Sequence, residues 1–461
     1  MEKSVSYTPR IDKIILIIIN VISGISILYY LFKFDQMLIG QDMFNTIILV
    51  IFCVKFIADL MTFKIGFASF SLILLFLPIV SLLGFGPIGE VQPLFNDRTQ
   101  LIEKHFYILA FAALFFYYVW SLLLLINRKT FKDFDAVVLK YFYEGPNSLL
   151  ATWAFSIIAI AASIIYLPDL PGRAYTDLSS SLLPGNAWNA VVVVAYFFVL
   201  VGVKDSVLRK VALYFVPFWL LTHYARVDIL GLVLIMYLII SNMKKGKWIQ
   251  SKLNFKKLGL LAFGILIFSY LGIVRHSGLI IDLESILESV YLLFNYLTVQ
   301  DLIYSTAAAI EVGQNYGNFH TLLNHIPQLI PSYFVETPEG APIVIASYIH
   351  TNFGLLLYGE YYLNYQLAGL IAAPFVTYLI LFFPFIILRS LLGNFGIAVA
   401  YYLLVTATPR IMWYGYIYYL KPLVVILPIF LIMYWIIFHI EKDFAKKSVG
   451  KAKSLLSSPE S

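Results

Sequence analysis

Runs of uncharged, apolar residues recur from one end of this chain to the other, beginning with "IILIIINVISGISILYYLF" at 14–32. A helix advances about 1.5 Å per residue, so about 20 such residues cross a hydrocarbon layer about 30 Å thick. Spans are predicted at 14–32, 44–61, 65–85, 105–126, 149–167, 187–203, 211–223, 227–242, 257–274, 364–388, 395–408 and 421–440. Two of these twelve, 211–223 and 395–408, are short for an upright crossing. With 61% hydrophobic and 13% charged residues, the chain has too few charges to clothe a water-facing surface. The expected fold is an all-α polytopic membrane protein with about twelve transmembrane helices.

The basic residues give that array two faces. Lys3, Arg10 and Lys13 precede the first span, and Arg128, Lys129, Lys132 and Lys140 fill one connection. Lys204, Arg209 and Lys210 follow, then "KKGKWIQSKLNFKK" with six lysines, and a tail with Lys442, Lys446, Lys447, Lys451 and Lys453. With twelve spans every cluster falls on one side, which the positive-inside rule makes the cytoplasm, so both termini are expected there. No small-residue cleavage site follows the first apolar run, which reads as a retained helix. The single cysteine, Cys53, excludes a disulfide framework and a Cys-ligated metal site.

Residues 276–388 contain no Lys or Arg but carry Asp282, Glu284, Glu288, Asp301, Glu311, Glu336, Glu339 and Glu360. The expected organisation is nine helices in 1–274, a large external loop in 275–363, three helices in 364–440 and a basic cytoplasmic tail in 441–461. Such a loop is too long for a plain linker. Within it "LESILESVYLLFNYL" has helical apolar spacing and suggests a helix on the bilayer surface. "HIPQLIPSYFVETPEGAP" reads as turns. No internal repeat is visible.

Charges near membrane segments are costly and mark candidate sites. Arg226 in "WLLTHYARVDILGLVL", Arg275 at the end of the ninth span and Arg410 in "TATPRIMWYGYIYYLKP" all fall on the external side, against the charge bias. Arg226 alone also reads as an interfacial anchor or a partner of Asp228, and Arg275 alone as an interfacial anchor. Together they suit bidentate recognition of phosphate oxygens at the bilayer surface. His320, His325, His350, Glu336, Glu339 and Glu360 are candidates for proton transfer. Glu360 stands out because a carboxylate entering a span needs a partner, an Arg being the simplest one. Lys55 and Asp59 have the spacing of an intrahelical ion pair. "DFD" at Asp133–Asp135 lies in a short basic connection with no room for a nucleotide-sugar transferase domain. No P-loop, HExxH or GxSxG motif occurs.

"HYARVDILGL" around Arg226, "GIVRHSG" around Arg275 and "NFGLLLYGEYYLNYQLAGL", with Glu360, Tyr362, Asn364 and Gly369, resemble the O-antigen polymerase (Wzy) family of oligosaccharide repeat-unit polymerases. Tyr365 and Gln366 stand where many members have Phe-Gly. The resemblance implies a metal-independent, cofactor-free glycosyltransferase of GT-C type in a bacterial inner membrane. It would transfer a growing glycan from undecaprenyl pyrophosphate to a new lipid-linked repeat unit at the outer face, in polysaccharide or lipopolysaccharide biosynthesis. Arg226, Arg275 and Arg410 would stabilise the leaving pyrophosphate, and His350 or Glu360 would act on the acceptor hydroxyl. Tyr224, His276, Tyr362, Asn364 and Lys421 complete the expected substrate-binding set. The implied partners are the lipid-linked oligosaccharide, the bilayer and a chain-length regulator, with no nucleic acid. The aromatic residues Tyr291, Phe294, Tyr296, Tyr316 and Phe319 suit either sugar stacking or an interfacial belt. An O-antigen ligase and a lipid-linked oligosaccharide flippase are the alternative readings.

Overall fold

The computed structural model of the protein describes residues 9–33, 43–85, 96–144, 148–168, 187–223, 226–244, 247–248, 254–257, 259–260, 262–264, 266, 270, 299–317, 319–330, 338–349, 351 and 354–456. Among these residues ten helices come first. They are α1 (Pro9–Phe32), α2 (Met43–Thr62), α3 (Phe67–Val80, extended by a π-helical turn Ser81–Phe85), α4 (Asn96–Lys104) and α5 (Phe106–Ile126). Then come α6 (Arg128–Glu144), α7 (Leu149–Tyr166), α8 (Ala187–Val201), α9 (Val207–Thr222) and α10 (Arg226–Asn242). A two-stranded ladder, Met243–Lys244 with Lys247–Trp248, follows. The remaining helices are α11 (Val299–Asn315), α12 (Thr321–Gln328), α13 (Ala341–Ala346), α14 (Leu357–Tyr414), α15 (Ile417–Lys421) and α16 (Leu427–Leu456).

Non-helical backbone at Tyr365, Gln366 and Gly393 divides α14 into α14a (357–364), α14b (367–392) and α14c (394–414). Gly393 turns at φ 58°, a left-handed value that costs glycine nothing and separates the two spans expected at 364–388 and 395–408. The second of these is longer than its apolar run, because the helix continues through Pro409 and Arg410. Residues 357–363, expected in the external loop, are helical and buried. The expected tail 441–461 continues α16 as far as Leu456. The expected span 257–274 lies largely, and the amphipathic stretch 283–297 wholly, outside the described residues.

Among the described residues seven helices are long and apolar enough to cross a membrane, with Trp188–Val201 and Val227–Asn242 as shorter apolar ones. Their outward faces carry Ile17, Ile25, Ile157, Ile386 and Ile432, each more than half exposed. Water would penalise that surface and lipid would not. The chain is thus an all-α polytopic membrane protein.

Polar contacts at the helix ends sort into two sets, as a bundle of alternating direction requires. On the lysine-rich face Glu441 of α16 caps α7 through the Ser148 hydroxyl and the Leu149 amide. Arg209 donates to the carbonyls of Val199 and Leu200, the open end of α8. Asp135 of the amphipathic α6 is buried and accepts from the Tyr401 hydroxyl of α14c, and burial pushes its pKa up to about 8. That bond holds α6 against the bundle, a structural role for the "DFD" aspartate. On the opposite face Lys104 and His105 meet Glu311 of α11. The expected Lys55–Asp59 pair forms at 3.0 Å, and Asn20 and Ser121 complete the ammonium's shell, joining α1, α2 and α5.

The core is α14c, buried along most of its length and contacted by α3, α6, α8 and α10. Its crossing with α10 runs through Gly231, where an added Cβ would lie 2.0 Å from the Thr406 carbonyl oxygen. Only a glycine permits that approach, so Gly231→Ala must push two helices apart. We expect the variant to lose several degrees of melting temperature in detergent, while Gly264→Ala, with open space around it, melts like wild type.

Candidate functional site

The site is built where α12 docks on α14a. On α12, Thr321 and His325 are the buried face, four residues apart and therefore one above the other. On α14a the same spacing aligns Glu360 with Asn364. The two pairs meet antiparallel. Asn364 donates to the Thr321 hydroxyl at 2.8 Å and to the Glu360 carbonyl at 2.7 Å, and its oxygen accepts from the Leu322 amide. His325 Nε2 then lies 3.0 Å from Glu360 Oε2. Gly415, at φ 99°, carries the chain over this pair, its Cβ direction 3.5 Å from the imidazole and 3.8 Å from the carboxylate. Beneath it the Tyr361 hydroxyl meets that of Tyr416, which also meets Thr377 at 2.7 Å.

Glu360 is only 4% exposed, and its second oxygen, Oε1, is buried with no hydrogen-bond partner. A carboxylate oxygen held that way retains its full capacity to accept a proton or a hydroxyl hydrogen. Burial alone would lower the pKa of His325, but the adjacent Glu360 carboxylate outweighs it and holds the imidazole above its ordinary value. The resulting stabilisation is full below about pH 6.5 and is lost as pH rises through the raised value. Melting temperature should therefore fall as pH rises above about 6.5 and through the raised value. His325→Gln should flatten that slope; an identical slope in the variant would remove His325 as its source.

A second polar cluster lies at the same end of the bundle. Arg410 Nε and an NH2 group grip Asp228 at 2.9 and 2.7 Å. Tyr166 donates to one oxygen of Asp228 at 3.1 Å and Asn189 to the other at 2.8 Å. Each carboxylate oxygen of Asp228 thus accepts two hydrogen bonds among the described residues. The rings of Tyr414 and Tyr418 lie 5.6 and 4.6 Å from the guanidinium carbon. Asp228 is two residues from Arg226 at the start of α10, so this pair fixes the position of that helix end.

The sequence expectations meet this geometry unevenly. Glu360 is buried at the bundle mouth and has a partner, but that partner is His325 rather than an arginine. Arg410 is engaged by Asp228 and is not a free cation. Tyr362 accepts from Gln314 of α11, and with Asn364 it secures packing around Glu360. Lys421 ends α15, half-buried. Arg226 is the first residue of α10. Tyr224, Arg275, His276 and His350 lie outside the described residues. The i, i+4 spacing of Thr321 with His325 and Glu360 with Asn364 was the available signal for the pairing.

A polytopic helical membrane protein with a buried His–Glu pair at one mouth of its bundle is the class these features define. Compared with protein-family models, with curated proteins and with solved structures, the chain matches none.

Proposed function

We propose that the chain polymerises lipid-linked oligosaccharide repeat units, moving the growing glycan from undecaprenyl pyrophosphate to a sugar hydroxyl of the next unit. The observation that carries this reading is the buried Glu360 oxygen with no partner, at the membrane face opposite the lysines. Glu360 Oε1 takes the proton of the acceptor hydroxyl, and His325 beside Oε2 offsets the carboxylate's charge until then. The acceptor oxygen bonds to the anomeric carbon of the donor glycan as that carbon's bond to the pyrophosphate oxygen breaks. The departing pyrophosphate, still on its lipid, meets the cations Arg226 and Arg275. Arg410 serves that step indirectly, by holding Asp228 and hence the start of α10.

The same reading has twelve crossings in a GT-C-type arrangement, both termini in the cytoplasm and the site at the outer face of a bacterial inner membrane. The one-sided lysine clusters support that orientation. Deleting the gene and sizing surface glycan tests the function. Single repeat units on the carrier lipid are expected. Full-length polymer stranded on the carrier would indicate a ligase instead, and repeat units confined to the inner leaflet a flippase.

A further inference from the structure

Beyond the end of α11 the chain displays a cluster of aromatic rings. Tyr316 and Tyr348 are 60% and 48% exposed, with ring centroids 4.4 Å apart and planes inclined by 34°. Phe319 stands edge-on to Tyr348 at 6.1 Å and is half-buried on a small core that includes Ala308, Ala341 and Ile345. Tyr316 follows the last residue of α11 and Tyr348 comes two residues after α13, so the ends of the two helices bring the rings together. Gln314, Asn315 and His320 are exposed beside them. No Lys or Arg occurs between 276 and 388, and Lys104, which α4 brings against α11, is paired with Glu311.

We propose that Tyr316, Phe319 and Tyr348 form a binding platform for an uncharged stretch of glycan, a deepening of the polymerase reading on which it rests. An aromatic face is negative and attracts the slightly positive C–H face of a pyranose ring, while neighbouring amides bond its hydroxyls. A bilayer interface also takes Tyr and Phe rings, and it is the exposed amides and imidazole beside these rings that favour a partner rich in hydroxyls. The platform is joined to the site through the chain: α12 starts two residues after Phe319 and carries His325 against Glu360. A glycan gripped there lies at one end of the element that holds the imidazole.

The test uses the full chain in nanodiscs and, as probe, the surface polysaccharide purified from the producing cell. Binding is expected in wild type, and Tyr316→Ala with Tyr348→Ala should weaken it roughly tenfold at unchanged melting temperature. Tyr348→Trp, which keeps an aromatic face, should retain binding and guards against a folding artefact. No binding by wild type, or equal binding by the double alanine variant, overturns the platform. A dye on Tyr348→Cys in a Cys53→Ser background reads the position of the rings independently. Quenching by brominated acyl chains would place them in the bilayer and also overturn the platform. An unchanged glycan ladder in deletion cells would sink the polymerase reading alone, leaving a measured glycan site intact.

Discussion

Glu360→Gln is expected to reduce chain growth by two to four orders of magnitude, the range in which a positioned general base contributes. Glutamine keeps the volume and can still accept a hydrogen bond from His325, so the docking of α12 on α14a survives. What disappears is an oxygen able to hold a proton at Oε1, the atom that is buried and without a partner. Membranes carrying the variant at wild-type abundance should therefore extend lipid-linked repeat units far more slowly. His325→Gln should fall less, because the imidazole positions and neutralises the carboxylate without taking the acceptor proton, and its pH–rate profile should shift. Chain growth by Glu360→Gln within about threefold of wild type would remove the carboxylate from the reaction, far inside the loss expected of a general base.

Truncating one partner of the Arg410–Asp228 pair is the second large effect. Their side chains are 13% and 6% exposed, and either one left alone would be a charge stranded at the bundle mouth. Removing one member of a buried ion pair costs about 3–5 kcal/mol, while replacing both by apolar residues is often near neutral. Arg410→Ala and Asp228→Ala are each expected to lower melting temperature and membrane abundance sharply. Arg410→Met combined with Asp228→Leu should recover much of the stability but not chain growth, because α10 would lose the contact that fixes its first turn. Single variants as stable as wild type would show that the cluster is not what holds α10 to α14c. Loss of activity in Arg410→Ala alone is therefore not evidence of phosphate binding.

The helices were legible in the sequence because lipid imposes one rule: an apolar run long enough to cross, with its backbone bonds satisfied internally. That rule located α1, α2, α3, α5 and α7 within a few residues and marked the break between 388 and 395 where Gly393 turns. It failed at 357–363, where "LYGEYYL" mixes Gly, Glu and Tyr and has no span-like hydropathy. The helix there is made by tertiary contacts, including the Leu356 amide on the Thr306 hydroxyl and Gly359 packed against Thr306. Among site residues, Glu360 was legible because a carboxylate at a membrane entrance is expensive. Its partner was not, since 35 residues separate it from His325 and only the docking of two short helices joins them. Arg410 draws attention in the sequence as a charge at a helix end away from the lysine clusters. Its partner Asp228 was not legible, because 182 positions separate the two residues that bond.

The most direct test is reconstitution of the purified protein in vesicles with a single added substrate, the lipid-linked repeat unit. The expected result is a ladder of glycans growing on the carrier lipid, with one lipid pyrophosphate released per linkage formed and no ladder with Glu360→Gln. Repeat units that stay single in the presence of folded wild-type protein, or a ladder equally strong with Glu360→Gln, would contradict the assignment of this buried carboxylate to glycan polymerisation.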